Sequence, residues 1–286
     1  MKVDEARLQL FSAIEGGSTF WSREIAEYGA QGVVDAIKGG KYDPIKYARI
    51  ISIIREFNAQ ATKENLAHVG ARFITPEENA WPDQLNDLAA PPIGLVIKGS
   101  AESLKVAMLA IVGTRNPTNY GVRIASDFAA GFVDREWAIV SGGAYGIDAA
   151  AHRGALIAEG ATFAVLAAGV DINYPAGHAR LFAEIAENGA LISEVLPGVR
   201  AVPSRFLTRN RLIAGLSRAT LVVEAAFRSG SLRTARDCAE LMRPVMAIPG
   251  PITSPTSEGC HRLIGERAAE IVTSISDAVE FVSTYR

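Results

Sequence analysis

The sequence predicts an α/β protein built on a doubly wound, mostly parallel sheet, preceded by a small all-helical segment. Short apolar runs recur from residue 106 onward: VAMLAIV (106–112), WAIV (137–140), TFAVLAAG (162–169), ALIS (190–193), ATLVVEA (219–225) and PVMAI (244–248). Between most of them lie amphipathic stretches, such as Ile124, Ala125, Phe128, Ala129, Phe132 and Val133 at three-to-four spacing. The runs are almost continuously apolar, as strands covered on both faces by helices must be.

The elements before residue 106 read differently. Residues 1–66 carry helical patterning, with Leu8, Leu10, Phe11 and Ile14 first, then Ile25, Ala26 and Ala30, then Ile50, Ile51, Ile53 and Ile54. Gly16-Gly17 and Gly39-Gly40 break the pattern between helices, and nothing in this small helical domain looks catalytic. Residues 67–105 read as a connector at the front of the 67–286 core, where WPDQLNDLAAPPIGLVIKG mixes turn prolines with one short apolar strand.

At 286 residues there is room for one large domain and a small one, and 49% apolar with 21% charged residues describes a packable globular chain. No run approaches the roughly 20 apolar residues of a membrane span. The start, MKVDEARLQLFSAIEGG, lacks the apolar core of a signal peptide. Cys238 and Cys260 fit neither a CxxC nor a metal-ligand spacing. These features predict a cytoplasmic chain without a membrane partner, a metal or a cofactor, whose thiols pack as ordinary small side chains.

The net charge of −2 argues against attraction of the whole molecule to nucleic acid, yet charge is unevenly spread. The last of the seven lysines is Lys105. From Arg200 to Arg236 eight arginines (200, 205, 209, 211, 218, 228, 233 and 236) face a single acid, Glu224.

In an open α/β sheet, ligands bind beyond the carboxyl ends of the strands. The segments expected there are GTRNPTNYG (113–121), SGGAYGID (141–148), AAGVDINYP (167–175), SEVLPG (193–198), EAAFRSGSLRTA (224–235) and PGP (249–251). They are rich in glycine, small hydroxyls, arginine and tyrosine. Glycine lets an anion approach main-chain amides, and a helix beginning near Ile147 would aim its free N–H groups at that anion. SGSLRTA, with Ser229 and Gly230, repeats the device. The plainer reading is that the glycines only permit tight turns. Two such loops and Arg115 converging on one crevice favour the anion site.

The familiar enzyme fingerprints fail. Gly142, Gly143 and Gly146 form GGxxG rather than GxGxxG, and neither GxxxxGK[ST] nor GxSxG occurs. The four histidines, 68, 152, 178 and 261, show no ligand spacing. His152 reads as a partly buried helix residue, and Asp148 as a cap or loop-fixing group ahead of a general base. No residue is assigned a catalytic role.

FLTRNRLIAGLS is expected to put Arg209, Asn210 and Arg211 at the start of a short helix. An arginine run is most often a solvated surface, and Phe206 could equally pack inward. Basic residues interleaved with an aromatic nevertheless suit a nucleic-acid strand, whose phosphates pair with arginine while a base stacks on the ring. An aspartate at Gly143 would then block a phosphate, provided φ there is negative.

GTRNPTNYG, SGGAYGIDAAAHRGAL, AVLAAGVDINYP, LISE, FLTRNRLIAGLS, LVVEAAFRSGSLRTA and AIPGPITSPTSEGCHRLI, in this order, resemble the DNA-processing protein A family, also called DprA or Smf. The resemblance covers about residues 81–272. It implies a Rossmann-like core that binds single-stranded DNA without nucleotide hydrolysis. It also implies a homodimer that protects incoming strands and loads RecA on them in natural transformation. The helices in front are similar in kind to the sterile-alpha-motif-like domain of the family. Carried over by motif, the binding set is Arg115, Gly142, Gly143, Phe206, Arg209, Asn210, Arg211, Ser229 and Gly230. Where the family often places a lysine, arginine is expected to serve. Many members continue into a winged helix. This chain ends at SDAVEFVSTYR, so that module's functions are not expected of it.

Two alternatives stand beside this. The fold also resembles Lonely-Guy-type phosphoribohydrolases, but RSGSLRTA has Arg233 and Thr234 where their loop supplies a glutamate. A mononucleotide-sensing module would use the same glycine loops, without needing eight arginines.

Overall fold

The structure is a computed structural model and describes residues 3–285. Four helices come first: α1 (Val3–Ala13), α2 (Thr19–Lys38), α3 (Ala48–Glu56) and α4 (Ala59–His68). Ser18 accepts a hydrogen bond from Trp21 N and Asn58 one from Ala61 N, so polar N-caps start α2 and α4. There follow β1 (Arg72–Ile74), β2 (Leu95–Gly99), β3 (Met108–Val112), α5 (Asn119–Val133), β4 (Ala138–Ser141), α6 (Ile147–Ile157), β5 (Thr162–Leu166), α7 (Ala179–Asn188) and β6 (Ala190–Ser193). The chain continues through α8 (Pro203–Leu216), β7 (Ala219–Val222), α9 (Ser231–Glu240), β8 (Val245–Ala247), α10 (Glu258–Gly265), β9 (Glu270–Ile271) and α11 (Ile275–Thr284).

Each of the six apolar runs is a strand. They belong to one nine-stranded sheet in the order β1-β2-β6-β5-β4-β3-β7-β8-β9. The pairs from β6 across to β9 are parallel, and β1 and β2 are antiparallel additions. Residues 67–105 are therefore more than a connector. Leu95, Val96 and Ile97 are buried, and Val96 pairs with Ser193 on what would otherwise be the open edge of β6. An unpaired edge leaves backbone groups unsatisfied, and a returning strand removes that liability.

Strand residues alternate between the two faces with period two. Met108, Ala110 and Val112 pack with Leu212, Ile213 and Leu216 of α8, and with Leu232 and Ala235 of α9. Leu109 and Ile111 face Phe128 and Phe132 of α5 and Ile147 and Ala151 of α6. A third apolar cluster joins Leu10, Trp21, Val33 and Ile54 of the first helices to Val96, Leu166 and Leu191 of the sheet and Phe182 of α7. Cys238 and Cys260 are buried free thiols, pushed up to about 11 and about 12 by that burial. Among the described residues, no helix is long and apolar enough to cross a membrane.

The sheet order reverses at β3. β4, β5 and β6 extend to one side of it and β7, β8 and β9 to the other. The connections from β3 and β7 therefore leave in opposite directions and open a crevice at their carboxyl ends, where α/β proteins bind ligands.

His152 on α6 is fully buried, and its Nδ1 lies 2.7 Å from Thr162 Oγ1. The threonine gives its own hydrogen to Ile139 O, so Nδ1 carries the imidazole hydrogen as donor and Nε2 has no partner. A second proton would have to sit on that unpartnered nitrogen. Burial, with His178 and Arg209 nearby, lowers the pKa to about 3. The unfolded chain binds a proton near 6.5 that the folded chain refuses, so this contribution to stability is complete above 6.5 and falls as pH drops toward 3. Between pH 7.5 and 5.5, urea melts of the wild type should lose about 1.4 kcal/mol more than those of His152→Gln. Parallel losses in both proteins would show that His152 is not held neutral.

Candidate nucleic-acid interface

The loop after β3 is held by a carboxylate from the arginine-rich segment. Glu224 is buried at the end of β7. It accepts hydrogen bonds from Thr118 N (2.9 Å) and Thr118 Oγ1 (2.7 Å), and its carbonyl accepts one from Thr114 N (2.6 Å). The single acid among eight arginines thus clamps the backbone on both sides of Arg115, leaving that side chain exposed at the crevice.

In the turn between β4 and α6, Asp148 Oδ2 accepts from Gly142 N (3.1 Å) and Ala144 N (3.3 Å). It is the loop-fixing residue that the sequence suggested. Burial pushes its carboxyl up, while the charge of Arg209 pulls the other way. Gly142 is glycine for a reason inside the protein, because a Cβ there would land on the Arg209 guanidinium. Gly143 has φ +66°, against the negative value assumed from sequence, and the Phe182 ring lies against it. An aspartate at 143 would therefore strain the backbone as well as add charge. Both glycines are buried, and their turn presents Ala144 and Asp148 to the crevice.

Helix α8 starts at Pro203, six residues before the expected start at Arg209, because proline is well suited to a first helical turn. Phe206, Arg209 and Asn210 consequently lie three and four residues apart and share one face. That face forms one wall of a crevice of about 430 Å³, with Arg115 and the Arg228-Ser229-Gly230 loop opposite. Arg209 is only 7% exposed. Its Nη1 donates to Val165 O (2.5 Å) and its Nε to Asn210 Oδ1 (3.0 Å). Burial lowers its pKa, opposed by the charge of Asp148. Asn210 Nδ2 then donates to Gly230 O (3.3 Å), and the Ser229 and Ser231 hydroxyls are 2.7 Å apart, so the SGS loop is braced against α8. Arg209 and Asn210 are thus the buried part of that wall.

Arg211, expected in the binding set, points elsewhere. Its guanidinium is engaged by the Glu194 carboxylate and donates to Ala90 O (2.8 Å), outside the crevice lining. One position along a helix rotates a side chain by about 100°, which carries residue 211 off the face of 206, 209 and 210. Burial pushes Glu194 up, with Arg211 opposing.

Phe206 is half-buried and not a core residue. Its ring centroid lies 5.5 Å from the Arg115 guanidinium and 5.9 Å from that of Arg209, with Tyr174 at 5.5 Å. Guanidiniums this close to an aromatic ring are drawn to its electron-rich face. Tyr174 (52% exposed) and Tyr145 (50%) were not singled out from sequence, although both stand in strand-end segments. Their tyrosines at the presumed carboxyl edge were the available signal. Arg228 was counted in the arginine run but not chosen, and it lines the crevice.

A family model described as DNA recombination-mediator protein A matches residues 72–283. The chain is 49% identical over 232 residues to a Mycobacterium tuberculosis protein bearing the name DprA, a match covering 77% of this chain and 59% of that one. It therefore spans well under two thirds of that relative's length. The crystal structure of DNA processing protein A from Streptococcus pneumoniae superposes with a TM-score of 0.84 at 31% identity, covering 98% of each chain. The protein of the same name from Helicobacter pylori, whose structure concerns its single-stranded DNA binding mode, superposes at 0.67 with 29% identity over 74% of this chain and 95% of that one. With the family model matching residues 72–283 and these similarities beside it, the chain belongs to the DNA recombination-mediator protein A family, the DprA or Smf proteins.

Proposed function

We propose that the chain binds single-stranded DNA in the crevice between the β3 and β7 loops. The observation that carries this reading is the Phe206 ring with the Arg115 and Arg209 guanidiniums 5.5 and 5.9 Å from its centroid, facing the Arg228-Ser229-Gly230 loop in one crevice. A flexible strand can bring a base onto such a ring and its phosphates to Arg115 and Arg228. A duplex keeps its base faces stacked and has none to offer. That the H. pylori relative is described by its single-stranded DNA binding mode supports a single strand as the ligand. On this reading the binding set is Arg115, Phe206, Ser229 and Gly230 at the surface, with Gly142, Gly143, Arg209 and Asn210 shaping it from beneath.

The wider role follows the family. The chain acts in the cytoplasm as a homodimer that hydrolyses no nucleotide. It shields incoming single strands and passes them to RecA in natural transformation. Family membership supports this part.

Four outcomes test the reading. Fluorescence anisotropy should give much tighter binding to an oligothymidylate than to duplex of equal length, without ATP or metal, and equal affinities would refute the proposal. Arg115→Ala should lower the log–log salt slope by about 0.7 while stability stays within about 0.5 kcal/mol. Arg211→Ala should do the reverse, costing about 3–5 kcal/mol of stability by stranding buried Glu194, with the slope unchanged. Phe206→Ala should cost about 1–3 kcal/mol of binding for each stacked base at an unaltered slope, since stacking releases no counterions. An early thermal melt in that variant would instead make Phe206 a packing residue.

A further inference from the structure

We infer that Phe227 and Arg262 form a second base-stacking station on the β8 side of the crevice, so that a bound strand leaves the crevice in that direction. The inference rests on the reading of the crevice as a single-strand site and extends it. Phe227 directly precedes Arg228, a residue of the crevice wall, on the loop after β7. Its ring is 49% exposed. Lone exposed apolar side chains are ordinary, so exposure by itself carries nothing. Here the Arg262 guanidinium lies 4.8 Å from the ring centroid, stacked on it from α10. The pair reproduces, one loop further along the sheet edge, the aromatic–guanidinium arrangement of Phe206 with Arg115.

The backbone holds both partners in place before any ligand arrives. Gly259 N at the start of α10 donates to Ala225 O (2.8 Å), and Ala225 N donates to Thr256 O (2.7 Å). A Cβ at Gly259 would collide with Ala225, so helix and loop approach as closely as backbones can. A base arriving from the crevice meets the open part of the Phe227 ring while Arg262 covers the rest. Arg262 Nε donates to Glu266 (2.6 Å), which already balances that charge. The station therefore acts through its flat surfaces, and a phosphate contact is not its main contribution.

The test uses oligothymidylates of about 2 and about 20 nucleotides, the shorter confined to the crevice of about 430 Å³ and the longer reaching beyond it. Phe227→Ala should bind the longer strand about 5- to 150-fold more weakly, at an unchanged salt slope, and bind the shorter one like the wild type. Phe227→Trp should restore the affinity, and its indole fluorescence should change when the long strand is added. Because the ring is half-exposed, thermal melts should not distinguish the variants. Wild-type affinity of Phe227→Ala for the long strand, beside weakened Arg115→Ala, overturns the station and leaves the crevice reading intact. Equal weakening on both lengths also overturns it, since the ring would then belong to the crevice. If the wild type binds neither strand, it is the crevice reading that fails.

Discussion

Arg209 runs beneath the turn between β4 and α6, where Gly142 has no side chain to stop it, and three loops take their positions from that one buried guanidinium. Val165 O at the end of β5 receives one of its hydrogens and the Asn210 amide another. Asn210 passes the constraint on to Gly230 in the loop after β7. Across the turn, Asp148 gathers the N–H groups of Gly142 and Ala144 and supplies the opposing charge. A cation taken out of water is tolerable only with such a set of acceptors and counter-charge. Residue 209 therefore cannot be exchanged without disturbing residues drawn from β4, β5 and β7 together.

The parts of this arrangement that depend on local pattern were legible in the sequence. Six apolar runs of strand length are six strands, and the glycine turn lies between a strand and a helix beginning at Ile147. Asp148 at that helix start holds the loop, as expected of its type and position. What depends on partners far away in the chain was not legible. Arg209 and Arg211 look alike in FLTRNRL, yet one lies on Gly142 and the other meets Glu194, and only the rotation of α8 separates them. That rotation is set by where the helix begins, and the expected start at Arg209 missed Pro203. The pairing of β2 with β6 was equally hidden, because a short antiparallel strand among turn prolines has no local signature of its partner.

The arginine-rich stretch, taken together with Arg115, holds two kinds of cation. Arg205 bonds Glu15, Arg211 bonds Glu194 and Arg233 bonds Asp237, so these charges are answered within the protein. Arg115 and Arg228 line the crevice, where a phosphate could supply the missing partner. This division reconciles a chain of net charge −2 with an anion-attracting cleft. A few cations left unanswered in a concave place focus the field locally, where a larger number each paired at home would not.

The apolar cluster that joins the first helices to the sheet has a consequence for how the chain can be divided. Trp21, Val33 and Ile54 are buried in the same cluster as Val96, Leu166 and Phe182, and Arg205 reaches from α8 to Glu15 just beyond α1. Neither part keeps a closed interior without the other. Cutting between α4 and β1 would bare an oily face on both fragments, and such faces drive association in solution. The helices and the sheet thus share one apolar interior, and α8, a wall of the crevice, is tied through Arg205 to the opposite end of the sequence.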